Sequence, residues 1–282
     1  MPKFNRDHYL AVETYNETVQ ALHGICGLIL FEFAREERGT RDLIIRNFIA
    51  RTDMMVRAVF RLWELQDYQD CWILHRCLLD RLFHLSHLDQ HDGFESFEAW
   101  SFLEQYNAQN RVRSDPEFGG ARESKMFAIT REQKERARVL SAHPPVWQRP
   151  KAEEVAKTLD MRFLYRFGYD FASTHVHPMA NDGQQDFFTL TKLGPTAEPL
   201  EQRSVLSNTL LVGTMVVQAG LNASTLSWRA LVYDFLDDLR RLLGTGAADD
   251  FKRSFIKLAK MSEEGIRFCA APSRPNERQK DV

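Results

Sequence analysis

A chain of 282 residues, 44% hydrophobic and 27% charged, can bury a sizeable core and has the make-up of an ordinary globular protein. Its net charge of -2 excludes a molecule that grips nucleic acid by overall basicity, so any RNA contact must be a local basic patch. The four cysteines, Cys26, Cys71, Cys77 and Cys269, form no C-x-x-C pair, and three sit in apolar helical runs. Buried thiols in a reducing compartment follow, with the cytoplasm as the expected location.

The N-terminal MPKFNRDHYL lacks the apolar core of a signal peptide. A first helix is predicted from about Asp7 to Glu37, with Leu22, Ile25, Cys26, Ile29, Leu30 and Phe33 as its apolar stripe. A second, Arg41 to Gln66, buries Ile45, Ile49, Val56, Val59 and Phe60. A third, Asp67 to His91, has no Pro or Gly, and Asp67 caps it. Short connections between long helices predict an up-down-up bundle of these three. A fourth helix spans Phe94 to Val112. The composition then shifts to Ser, Asp, Pro, Glu and Gly-Gly, which predicts a variable loop over 113–130. Thr130 and Gln133 have the form of a capping box for a short charged helix.

A short helix follows over Lys151 to Thr158. Asp160 is the expected cap of the next helix, which should stop at His177-Pro178, because the residue before Pro is pushed out of the helical region. Gln184 to Pro199 reads as loop with a short extended piece at 187–191. A long helix is predicted from about Leu200 to Trp228, and its part from Val205 to Trp228 is the most apolar stretch. Asn, Gln, Ser and Thr interrupt it, so it reads as a buried helix and not a membrane span. Helices over Tyr233 to Leu243 and Asp249 to Glu264 complete the pattern. The expected architecture is all-α: an antiparallel helical bundle of about eight to nine helices in a single domain over 1–270, with a disordered tail over 271–282. No Walker A loop, dinucleotide fingerprint, zinc-finger spacing or nucleophile elbow is present.

The third helix carries the most unusual surface. At about 100° per residue, Arg76, Asp80, His84, His87 and His91 fall within an arc of roughly 80°, while Cys71, Leu78, Leu82 and Leu85 lie opposite and face a core. A second segment, Tyr169-Asp-Phe-Ala-Ser173-Thr-His175-Val-His177-Pro178, places Tyr169, Ser173 and His177 at i, i+4 and i+8. An Arg and an acid four apart on one helix, with a distant Tyr-x3-Ser-x3-His-Pro at a helix end, resembles the bacterial DUF5677 family. That resemblance implies an all-helical fold and covers roughly the second helix to Trp228. The acid is Asp80 here where such proteins often have Glu. Arg81-x5-His87 and Arg138-x4-His143 fit the Arg-x4–6-His spacing of the HEPN ribonucleases, without the polar residue that usually follows the Arg, so this second resemblance is the weaker.

Three readings of the two segments are open. In one, Arg76, Asp80, His84 and His177 cleave a phosphodiester of RNA without metal, and His87, Tyr169, Ser173 and His175 bind: Arg76 meets phosphate charge, histidines serve as base and acid, and Asp80 fixes a tautomer. In another, His84, His87, His175 and His177 hold a metal ion. In the third, the cluster docks two parts of the bundle and the protein is an interaction or sensing module. No other cofactor is expected. A second copy of the chain could complete the site as a homodimer.

Overall fold

The computed structural model describes residues 10–35, 38–118, 125–177, 179–180, 183–194, 204–226 and 229–245. The predicted helix over 249–264 and the tail over 271–282 lie outside them.

Apolar residues at helical spacing become helices α1 (Val12–Ala34), α2 (Thr40–Glu64), α3 (Tyr68–Gln90) and α4 (Phe94–Ser114). α1 packs on α2 and α2 on α3, as the short connections require. The Asp67 side chain caps α3 by accepting from Asp70 N–H at 3.2 Å. Two short 3-10 turns, Pro116–Phe118 and Lys125–Phe127, lie in the expected loop. The capping box at Thr130 and Gln133 is present in both directions and opens α5 (Arg131–Ala142). α6 (Ala152–Thr158) follows.

The next helix departs from expectation at its start. Asp160 does not cap it. Its φ of 54° is left-handed, and it closes α6 instead. Met161 N–H donates to Ala156 O at 2.7 Å and Asp160 N–H to Lys157 O at 3.4 Å, the paired bonds of a Schellman end. Gln66 and Asp92 close α2 and α3 with the same left-handed turn, at φ of 63° and 48°. α7 then runs over 162–173 as Arg162–Leu164, a π-helical stretch Tyr165–Asp170 and Phe171–Ser173. It ends at Ser173, four residues before His177, and a turn follows.

The segment read as loop with an extended piece is also different. Gln184–Thr191 is a helix, α8, held between the left-handed Gly183 and Lys192. Its Phe and Thr residues suit a strand by propensity, but no partner strand exists among the described residues, and local helical bonds win. α9 (Val205–Ala223) and α10 (Arg229–Thr245) complete the set. The fold is all-α, with no strand among the described residues.

α9 is the axis of the core. It lies along α2 and α3, with Leu206, Leu210, Val217 and Leu221 fully buried. Gly213 and Gly220 permit close approach to α2: a Cβ at Gly213 would sit 3.0 Å from Val56 Cγ2, and one at Gly220 3.1 Å from Ile45 Cγ2 and 3.2 Å from Ile49 Cδ1. By length and composition α9 could cross a membrane, yet most of it is buried inside the bundle.

Candidate functional site

The site lies where α7 crosses α3. Gly168 lets the α7 backbone lie against α3, since a Cβ there would meet Leu79 Cδ1 at 2.9 Å and His75 Nε2 at 3.6 Å. The wide π turn sets Tyr169 and Ser173, four apart, in one line over Arg76. The Arg76 guanidinium donates through Nε to Ser173 Oγ and through Nη2 to Tyr169 OH, both at 2.8 Å, and through Nη1 to Asp80 Oδ2 at 3.4 Å. Its Cζ also lies 4.5 Å from the centre of the Tyr169 ring. Ser173 Oγ in turn donates to Tyr169 O at 2.7 Å, so each partner is itself held.

Beside this cluster is a recess of about 90 Å³ lined by Arg76, Asp80, Phe83, His84, Arg149 and Tyr169, with Pro150, Ala152 and Val155 closing one side. His84 Nδ1 lies 2.7 Å from the carbonyl oxygen of Asp80. A carbonyl only accepts, so Nδ1 carries the proton and the lone pair of the neutral ring belongs to Nε2. Burial lowers the His84 pKa, against a smaller opposing pull from the Asp80 carbonyl and carboxylate, with Arg149 and Arg81 lowering it further. The ring is therefore neutral at pH 7. Burial, and then the Asp80 charge, raise the Tyr169 phenol, which keeps it protonated. Arg149 is exposed and makes no ion pair among the described residues. Two guanidiniums against one carboxylate leave the recess with a net positive charge, suited to an oxyanion.

The structure thus brings Arg76, Asp80, His84, Tyr169 and Ser173 together. His175 is elsewhere: it stacks on Trp72, with ring centres 6.3 Å apart, and packs edge-on to Phe171. His177 is exposed in the turn beyond α7 and does not line the recess. His87 faces His91, 4.4 Å between ring centres, and burial, then His91 and His84, lower its pKa. Among the described residues no three His, Cys, Asp or Glu side chains gather as a metal would need, so the four histidines weighed as a cage do not form one. Arg81 of the HEPN-type spacing donates to the Cys77 carbonyl at 2.7 Å, and Arg138 pairs with Glu135.

Two residues escaped the sequence reading. Arg149 lies in an irregular Trp-Gln-Arg-Pro stretch, where no periodicity marks its direction. His75 is buried and its Nδ1 meets Thr209 Oγ1 at 3.1 Å, which ties α3 to α9. Its place on the buried side of α3, beside Cys71, Leu78 and Leu79, was legible from the helical period.

No curated protein and no solved structure matches the chain. A family model described as "Family of unknown function (DUF5677)" matches residues 42–191, the stretch from α2 to α8 that carries every residue of the recess. On that match over more than half its length, the chain belongs to the DUF5677 family.

Proposed function

We propose that the recess takes a phosphate-sized oxyanion and that the chain cleaves phosphodiester bonds of RNA without a metal ion. The observation that carries this reading is the His84 ring: its Nδ1 proton is committed to the Asp80 carbonyl, so a neutral Nε2 stands ready as a base beside two guanidiniums. A space of about 90 Å³ accommodates one phosphoryl group and not a nucleotide, so the rest of an RNA chain lies outside it. In the proposed step Nε2 takes the proton of a ribose 2′-hydroxyl, whose oxygen bonds to the adjacent phosphorus. The 5′-oxygen leaves with a proton from the Tyr169 phenol, giving a 2′,3′-cyclic phosphate. Arg76 and Arg149 meet the charge that grows on the non-bridging oxygens. His177, weighed as a second acid, has no part in this scheme.

A second reading is supported by the same bonds. Three of the five N–H groups of Arg76 are spent inside the chain, which makes the cluster a clamp between α3 and α7 in a non-enzymatic interaction or sensing module. One experiment separates the two. The purified chain is incubated with fluorescent single- and double-stranded RNA in the presence of a chelator, alongside His84→Ala and Arg76→Lys. The expected result is cyclic-phosphate product from the wild type and a loss of about 100-fold or more in His84→Ala. Thermal stability of that variant should stay within about 1 kcal/mol. No product from the wild type, or equal product from His84→Ala, overturns the nuclease reading. Destabilised Arg76→Lys with no activity to lose supports the clamp.

A further inference from the structure

The face of α7 turned away from the recess is aromatic. Phe163, Phe167 and Phe171 follow one another at intervals of four and are 71%, 64% and 43% exposed. The Phe163 and Phe167 rings lie 4.7 Å apart and form a raised ridge. Three exposed phenylalanines in a row are far from the scattered apolar residues of an ordinary surface. Beside the ridge runs a groove of about 600 Å³ between α7 and the start of α9, with Trp72, Phe171, Thr174 and Asn208 in its walls. The next row of α7 carries Arg166 and Asp170, both exposed, and neither makes an ion pair among the described residues.

We infer that a second copy of this chain docks here, α7 against α7 about a two-fold axis near Phe167 and Gly168. The pattern is self-complementary in that one arrangement. An antiparallel pairing centred there sets Phe163 of each copy against the partner's Phe171, which is a wall of the groove, so each ridge ends in the other's groove. The same pairing, within about one residue of register, sets Arg166 of each copy against the partner's Asp170. The charges left over on one copy are those missing on the other. A second copy supplies both what the ridge needs and what the ordered pair of opposite charges needs. The two recesses sit on the outer sides of the paired helices, so docking leaves them open.

Sedimentation velocity on the full chain across a concentration series tests this. A concentration-dependent dimer is expected. Phe163→Asp and Phe167→Asp should each weaken it by at least tenfold, with helix content by circular dichroism unchanged. Arg166→Asp alone and Asp170→Arg alone should also weaken it, and the double variant R166D/D170R should regain the wild-type dimer. That rescue needs both folded chains and the proposed register. A wild type that stays monomeric over the series overturns the proposal, as does a dimer untouched by Phe163→Asp, or one that the double variant fails to restore.

Discussion

Among single residues, His75 gives the sharpest consequence. Burial holds its pKa at about 4, against the ordinary 6.5, because the interior disfavours the charged ring. The unfolded chain therefore binds a proton at this position near pH 6.5 and the folded chain only near pH 4. Stability from this group is complete above pH 6.5 and is lost as the pH falls toward 4. The full difference is on the order of 3 kcal/mol. His84 and His87, also lowered by burial, add losses of the same sign. Urea unfolding at pH 7, 6, 5 and 4 should show a falling midpoint, and His75→Leu should flatten most of the slope. An unchanged slope in that variant would assign the acid sensitivity to other groups. The half-buried pair of Arg76 and Asp80 is a different case. An isolated i, i+4 ion pair is worth only about 0.3–0.5 kcal/mol, so it is the two bonds across to α7 that make Arg76 a joint.

At the scale of elements, the close approaches decide what can change. Gly220 on α9 is a test of two opposing magnitudes. Alanine there would gain about 1 kcal/mol of helix propensity. Its Cβ, however, would crowd three atoms of Ile45 and Ile49 at 3.1–3.4 Å, where branched side chains packed in a core have little room to yield. Overpacking of this kind costs about 1–3 kcal/mol, so Gly220→Ala should be net destabilising and lower the thermal midpoint by a few degrees. A raised midpoint would mean that α2 and α9 slide apart at little cost. Periodicity made most elements legible. In α3, Cys71, Leu78, Leu82 and Leu85 are all buried on the side expected. It could not reveal α8, whose eight residues are too few for a period to stand out from aromatic and Thr content. Nor could it reveal the π stretch in α7, which depends on how Gly168 settles against Leu79 and His75. The left-handed turn at Asp160 was hidden because an Asp before an apolar run more often opens a helix than closes the one before it.

Across the whole molecule, the family match and the core do not have the same limits. Residues 42–191 hold the recess, yet α1 and α9 lie outside that span and supply much of the buried apolar surface against α2 and α3. Without α9, the faces of Ile45, Ile49 and Val56 that pack on Gly220 and Gly213 would stand open to water, and each such side chain represents about 1.5–3 kcal/mol of burial. A fragment limited to 42–191 should therefore give no cooperative thermal transition by calorimetry, whereas the full chain should. A sharp transition in the fragment would show that α2 to α8 fold by themselves. The candidate site was legible only in part for a related reason. The sequence marks Arg76, Asp80, His84, Tyr169 and Ser173 as polar residues at helical spacing, but their meeting is a property of how α7 crosses α3, and Arg149 joins them from a loop without a period.

Trp147, whose loop backbone N–H donates to Ser96 Oγ at 2.9 Å, is packed among Phe97, Trp100 and His84, with 6.0 Å between the indole and imidazole ring centres. A charged imidazolium quenches the emission of a neighbouring indole, whereas a neutral ring does so weakly. The recess therefore carries its own optical gauge: an anion that settles against His84 and draws a proton onto it dims the light of a tryptophan it never touches.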